Sequence, residues 1–440
     1  MKSTLLHGAT VVNSDIETRD DVLIRDGTVE EIDRFVEEYD EMIEVPGTLL
    51  LPGLVDCHVH FREPGFEHKA TMKTEAAAAL AGGVLTVCEM PNTNPPTVTV
   101  AALADKVRRS EEIKDVDIRF FFGITETIHL STFRELMEST AEEAVRLRRR
   151  CCGVKIYLDH STGNQKIQDE LVGDVFKACA DHKIVLVAHC EDPETNALAA
   201  AQNTRTNVAA HSLMRPANSE SIMIERAIGH AKKYGTHLHV AHLSTEGGID
   251  LVRRAKNDGL KVTCEVTPHH LFLTTEDYEK LGTLGKINPP LRSHKHRFAL
   301  WQGIIDKVVD CISTDHAPHT LEEKNNPEPL KAPSGVPGIE TMLPLLLSVA
   351  GGHWPHPTEQ NASCPPFTYK DIVRLCHANP NRIFNLGKSE IEENKRPDIV
   401  IVDPAATWTI RNADMHGKCA WTPFDGWTVK GRVTRILHAR

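Results

Sequence analysis

The sequence has no Cys-x-x-Cys pair, no uninterrupted apolar run near the roughly 18 residues of a membrane span, and no excess of positive charge. Each absence excludes something. Eleven cysteines scattered through apolar runs, among them Cys57, Cys88, Cys190 and Cys264, suit reduced, packed thiols in a cytoplasmic protein better than a disulfide framework. The opening residues Met1 to Gly8 lack the apolar core of a secretory signal, and no segment is long enough for a membrane anchor. A formal charge of -11 argues against a general nucleic-acid binder, while leaving room for a local cationic pocket that holds a small acid. No Gly-x-Gly-x-x-Gly follows a strand, which removes the main support for a doubly wound dinucleotide-binding sheet.

What is present is histidine, 24 of them in 440 residues, many at the ends of apolar runs. The organising stretch is Asp56-Cys57-His58-Val59-His60-Phe61-Arg62-Glu63-Pro64-Gly65, which follows the strand-like run from Leu49 to Val55. Residues two apart on a strand share a face, so His58 and His60 project together and can hold one divalent metal while Val59 packs behind them. Arg62 continues that face and offers a planar cation to a substrate carboxylate. Alone, the pattern reads equally well as two partly exposed histidines at a strand end.

Two textures divide the chain. Residues 1–50 and 396–440 carry short β-like runs with turn signals, including the hairpin turn Asp26-Gly27, and are expected to form one small β-sandwich domain from both termini. Across 51–395, eight apolar runs ending at Val309–Asp315 alternate with helix formers at Ala76–Ala81, Leu130–Arg150 and Ser219–Tyr234. That alternation predicts an α/β fold, a (β/α)8 TIM barrel, whose site gathers at the carboxyl ends of the strands.

Further candidates fall at those ends. Lys155 lies inside Val154-Lys155-Ile156-Tyr157, where burial favours the neutral amine and its reaction with carbon dioxide to a carbamate able to bridge two metals; a snorkelling or salt-bridged lysine is the plainer reading. His189 and His242 each close an apolar strand after Val-Ala, a repeated pattern that suits ligands as well as hydrogen-bonded core histidines. Asp315, in Thr314-Asp315-His316-Ala317-Pro318-His319, can bind a metal and move a proton, or cap the following segment.

Taken in order, two histidines on one strand, a lysine, two later histidines and a final aspartate resemble the amidohydrolase superfamily of binuclear barrels. Within it, the chain is similar to the dihydroorotases of the larger monofunctional type. The resemblance spans nearly the whole chain. It is carried by His58 to Gly65, Met90-Pro91-Asn92-Thr93, Glu265-Val266-Thr267-Pro268-His269-His270, Lys286-Ile287-Asn288-Pro289-Pro290-Leu291-Arg292, the Asp315 motif and Ala332-Pro333-Ser334-Gly335.

It implies two zinc ions, the first on His58, His60 and Asp315, the second on His189 and His242, bridged by N6-carboxylated Lys155. It implies that Arg62, Asn92 and His319 grip a substrate carboxylate and that Asn288 and Gly335 bind ring amides. The implied reaction is the reversible cyclisation of N-carbamoyl-L-aspartate to dihydroorotate in pyrimidine synthesis, with a metal-bridging hydroxide as nucleophile and Asp315 as general acid and base. Hydantoinase, allantoinase and non-catalytic barrel relatives are the alternatives. The anion-binding set separates this chain from the first two, and the full set of ligands from the last. The only partner expected is the small-molecule substrate, with no nucleic acid or membrane; oligomeric state stays open, a homodimer being one option. Mobile covers are expected at Asp159–Asn164 and Thr320–Pro337, and His7, His129, His353 and His356 have no assigned role.

Overall fold

The computed structural model describes residues 2–160, 165–359 and 362–439, so most of the first expected mobile cover, residues 161–164, lies outside the described residues. Seven short strands open the chain: β1 (Ser3–His7), β2 (Thr10–Val12), β3 (Glu17–Thr18), β4 (Asp21–Arg25), β5 (Thr28–Asp33), β6 (Glu41–Glu44) and β7 (Leu49–Pro52). Asp26 and Gly27 both take positive φ, 51° and 75°, so the β4–β5 hairpin turns as its Asp-Gly pair predicts.

Next come the eight strands of the central sheet: β8 (Leu54–Val59), β9 (Val84–Glu89), β10 (Asp117–Gly123), β11 (Cys151–Tyr157), β12 (Leu186–His189), β13 (Leu238–Val240), β14 (Val262–Val266) and β15 (Cys311–Ile312). They pair in parallel and in sequence from β8 to β15. The ring closes where Val59 bridges His316 and the His60 amide donates to the His316 carbonyl at 2.8 Å. Asp56 ties the same seam, accepting from the amides of His58 (3.2 Å) and Thr314 (3.0 Å). This is the barrel predicted from the alternation of apolar runs and helical stretches.

The last strands, β16 (Ile399–Thr409) and β17 (Thr428–Leu437), return to the beginning of the chain. β16 pairs antiparallel with β7, giving a five-stranded sheet in the order β17-β16-β7-β2-β3, beside a four-stranded sheet β5-β4-β1-β6. Leu6, Val22 and Val29 of one sheet pack with Val11, Leu50, Ile399 and Ile401 of the other, so both termini do build one β sandwich.

Inside the barrel, Val55, Cys57, Cys88, Phe121, Cys152, Val187 and Cys311 form a plug that Ile383 and Phe384 also join. Val154 and Ile156 pack in the outer cluster, which turns Lys155 and Tyr157 of β11 inward. All eleven cysteines are free.

The stretch Leu130–Arg150 forms two helices, Thr127–Glu138 and Glu142–Arg150. Ser139 between them is extended, and its hydroxyl accepts from the Ala141 amide at 3.2 Å, a local bond that competes with helix continuation. The expected last strand is much shorter: only Cys311 and Ile312 are paired as a strand, and Asp315 lies beyond it.

Candidate metal centre and substrate pocket

Because parallel strands all end at one rim, the polar residues at their carboxyl ends converge. His58 and His60 leave β8 with ring centroids 5.4 Å apart, and His58 lies 5.2 Å from the ring of His242. Oδ1 of Asp315 sits 2.9 Å from Nε2 of His60 and 3.4 Å from Nε2 of His58. Across the mouth, Nδ1 of His189 is 3.0 Å from Nε2 of His242. Among the described residues, His58, His60 and Asp315 form one of two groups whose donor atoms cluster closely enough for a metal ion; Cys57, His239 and Glu265 form the other.

Three of these residues have unusual backbones. Arg62, His242 and Asp315 take φ of 66°, 34° and 45°, a region that non-glycine residues rarely enter and that concentrates where a site demands a particular side-chain direction. For Arg62 this replaces the simple extension of the β8 face: the chain has left the strand, and the guanidinium reaches its place through the turn.

A small cavity opens over this cluster. His58, His60, Arg62, Asn92, His189, His242, Asn288, Asp315 and Gly335 all line it, together with Tyr157 and Ser334. Two of the sequence-predicted residues stand outside that lining. Lys155 is buried, 1% exposed, with Nζ 5.0 Å from the centroid of the Tyr157 ring and, among the described residues, no hydrogen-bond partner. His319 lies behind Arg62, with Nε2 at 3.2 Å from the guanidinium and 3.1 Å from the Ser334 carbonyl.

Burial governs the electrostatics. It pushes Lys155 down to about 8, against the pull of Glu265 and Asp315, and His60 down to about 4. Burial also acts to raise the Asp315 carboxyl, but His58, His60 and His242 outweigh it and hold that carboxyl well below its usual range. His319 is pushed down to about 3, by burial first and then by the Arg62 charge. Arg62 itself donates Nε–H to the Pro318 carbonyl at 3.0 Å and, among the described residues, has no carboxylate within ion-pair distance. A buried guanidinium without a counter-ion is costly unless a ligand supplies one.

The histidines are held in defined tautomers by Asn92, expected from the sequence at the substrate, and by two carboxylates, Glu265 and Glu191, to which the sequence reading gave no role. A Glu265 oxygen accepts from Nδ1 of His58, Asn92 Oδ1 from Nδ1 of His60 (2.7 Å), and Glu191 from Nε2 of His189 (2.9 Å). Each leaves the opposite ring nitrogen with a free lone pair toward the cluster, an arrangement characteristic of metal-ligating histidines. Glu191 is clasped by Arg215, which also reaches Asp159 at 2.9 Å. A signal for Glu265 was present: a carboxylate in the fully buried run Val262–Val266 needs donors around it.

The connection after His319 also reaches the pocket. It contains a short helix, Leu321–Lys324, and the buried Lys324 ammonium donates to the carbonyls of Lys286 (2.9 Å), Pro333 (3.0 Å) and Gly335 (3.0 Å). Asn288 is fixed by His211, whose Nε2 lies 2.8 Å from Asn288 Oδ1 and 3.0 Å from the Ile287 carbonyl. The histidines without an assigned role are paired elsewhere: His7 with Asp21, His129 with Thr125, His353 with the Thr428 carbonyl and His356 with Asp277.

Comparison with known proteins agrees with this geometry. Residues 49–437 match the model of the amidohydrolase family. A dihydroorotase of Halobacterium salinarum is 38% identical over 86% of this chain and 82% of its own. One of Halalkalibacterium halodurans is 36% identical over 98% of this chain and 95% of its own. Among solved structures, the L-hydantoinase of Arthrobacter aurescens superposes with a TM-score of 0.88 at 25% identity, over 100% of this chain and 95% of its own. The chain belongs to the amidohydrolase family and, within it, to the dihydroorotases.

Proposed function

We propose that the chain catalyses the reversible cyclisation of N-carbamoyl-L-aspartate to dihydroorotate, in pyrimidine synthesis. The observation that carries this over a hydantoinase or allantoinase activity is Arg62, a buried cation on the cavity wall with no carboxylate partner among the described residues. A ring bearing a carboxylate supplies that partner; a neutral ring leaves the charge unpaired.

The donor set fits two divalent metals. His58, His60 and Asp315 converge as one group, His189 and His242 face each other as a second, and Lys155 is a buried amine with a lowered pKa and no hydrogen-bond partner among the described residues. We assign the first three to one zinc, the two facing histidines to the other, and carboxylated Lys155 to the bridge. Bound there, such metals supply a water of lowered pKa and polarise an amide carbonyl.

The remaining work falls to this chain's own residues. Arg62, backed by His319 and flanked by Asn92, binds the carboxylate and fixes the ring over the cluster. Asn288 and the backbone at Gly335 hold the ring amides. Asp315, kept ionised by the surrounding histidines, accepts the proton of the attacking water at its carboxylate and returns it to the departing amide nitrogen. We further assign the barrel to residues 51–395 and the sandwich to 1–50 plus 396–440, and the free cysteines support a reducing, cytoplasmic setting.

The test is ring opening of dihydroorotate against hydantoin, dihydrouracil and allantoin, with metal content measured on the same sample. Turnover confined to dihydroorotate at about two metals per chain is expected. Turnover of a neutral ring would overturn the role of Arg62, and metal-loaded protein without activity would point to a non-catalytic relative.

A further inference from the structure

Glu265 stands at the junction of the two half-sites, and no feature of the reaction above uses it. It lies on β14, fully buried, below the mouth of the barrel. Its Oε1 faces Nδ1 of His58 and accepts the backbone N–H of His242 at 3.1 Å. Its Oε2 accepts from Nε2 of His239 at 3.2 Å and from Sγ of Cys57 at 3.4 Å. Four donors thus converge on one carboxylate, two on each oxygen. A carboxylate only accepts, so all four protons must point toward it.

Two consequences follow. The first is that His58 carries its proton on Nδ1, leaving the Nε2 lone pair directed at the Asp315 side. The second is that the left-handed backbone of His242, φ 34°, is pinned through its amide, which sets the direction of the imidazole toward His189. These are one ligand from each proposed metal position. The contact reaches further down the barrel: Nδ1 of His239 lies 2.9 Å from the Thr263 hydroxyl, which in turn lies 3.1 Å from Nε2 of His237. Glu265 is therefore held from below by His239 while it holds His58 and His242 above.

We propose that Glu265 is a positioning residue on which both halves of the metal centre depend, its two oxygens setting the tautomer of His58 and the backbone of His242 together. This rests on the metal-centre reading given above. The same observations weigh against the other use of this cluster, a separate cation on Cys57, His239 and Glu265. The Cys57 and His239 protons are already directed at the Glu265 carboxylate, whose oxygens are satisfied without an ion.

An amide cannot take this place. Glu265→Gln keeps the shape but turns one acceptor into an N–H donor, facing either the His58 and His242 protons or those of His239 and Cys57. The measurement is retention of zinc by the holoenzyme against a graded chelator series, beside its melting temperature and steady-state kinetics. We expect Glu265→Gln to hold zinc about 10- to 100-fold more weakly at both positions, with activity restored by excess zinc and KM unchanged. A variant that keeps wild-type zinc affinity overturns the proposal.

Should that variant fail to fold, the 15N signals of the His58 ring in zinc-loaded wild-type protein decide it. A proton on Nδ1 is expected; a proton on Nε2 overturns the assignment. So does a third zinc equivalent that disappears in Cys57→Ala, because the Oε2 edge would then belong to an ion. If the wild-type protein takes up no zinc at all, the metal-centre reading fails instead, and that outcome is distinct from the others.

Discussion

Nδ1 of His189 and Nε2 of His242 face each other at 3.0 Å, while Nδ1 of His242 finds no partner among the described residues. Glu191 already takes the His189 proton on the far side of that ring, so His189 presents a bare lone pair to its neighbour. A divalent ion between or beside the two rings satisfies both nitrogens. Removing it leaves only an inter-ring contact in a buried pocket.

Metal removal should therefore destabilise the fold as well as abolish turnover. A ligand bound by the native state alone and present at about 100 times its Kd adds about 2.7 kcal/mol. Exhaustive chelation is expected to lower Tm by several degrees, and zinc to restore it. His242→Ala should show a smaller drop on chelation, because one ligand is already gone. An unchanged Tm after verified metal loss would sink the prediction.

Arg62→Ala should raise KM for dihydroorotate about 10- to 100-fold, the range of a lost charge-assisted bidentate pair. The same change should leave the binding of a neutral ring such as hydantoin, read as inhibition of dihydroorotate turnover, unaffected or slightly favoured, since a buried unpaired charge has gone. Arg62→Lys should recover only part of the loss, because an ammonium cannot make the planar double contact. Equal effects on charged and neutral rings would remove Arg62 from carboxylate binding.

Much of this site was legible before any coordinates, for physical reasons. The two-residue period of a strand put His58 and His60 together, and the repeated Val-Ala-His endings placed His189 and His242 on the same rim. Lys155 stood out because a charged amine inside an apolar run demands an explanation. Glu265 stands out as a carboxylate in an apolar run, but which donors it serves, like the role of Glu191, depends on which strands are neighbours and not on sequence context. Arg62 was assigned the right wall by the wrong path, since a left-handed turn cannot be seen in strand periodicity. The break at Ser139 has no marker in helix propensity, because local side-chain bonding there interrupts good helix formers on both sides.

His211 should make stability depend on acid. Burial first, then the charges of Lys286 and Arg215, push it down to about 4, against 6.5 for an exposed histidine. Between those values the unfolded chain binds a proton that the folded chain refuses, so this contribution is fully present above pH 6.5 and is lost as pH falls toward 4. His211→Gln keeps a donor for Ile287 and Asn288 but cannot titrate. Urea unfolding at pH 7 and pH 5 should show about 2 kcal/mol less loss in the variant than in the wild type. Identical losses would mean that His211 is not held neutral by its surroundings.

Lys324 is a buried ammonium satisfied by carbonyls alone, and two of its partners, Pro333 and Gly335, flank the Ser334 side of the pocket. Lys324→Met removes the charge but strands those carbonyls, so about 2 kcal/mol of stability should be lost. KM should rise while zinc content stays at the wild-type level, because the segment it holds touches the ring and not the metals. Loss of zinc in this variant would place the effect elsewhere.

Asp315 is the sharpest test of the chemistry, because it is expected both to hold a metal and to carry the proton. Its carboxyl stays ionised through contact with His58 and His60, at 3.4 and 2.9 Å. Asp315→Asn preserves the shape and an oxygen ligand but cannot accept a proton at ordinary pH. If proton transfer is its main contribution, kcat should fall about 100- to 10,000-fold with KM little changed and zinc largely retained. Asp315→Ala should lose zinc from the His58–His60 position as well, and adding zinc should not rescue turnover. Because burial and the histidines oppose each other at this carboxyl, the acid limb of kcat should reflect the assembled site, and it should vanish in the asparagine variant. A fully metallated Asp315→Ala protein turning over at the wild-type rate would leave the proton to another group, and Asp315 only as a ligand.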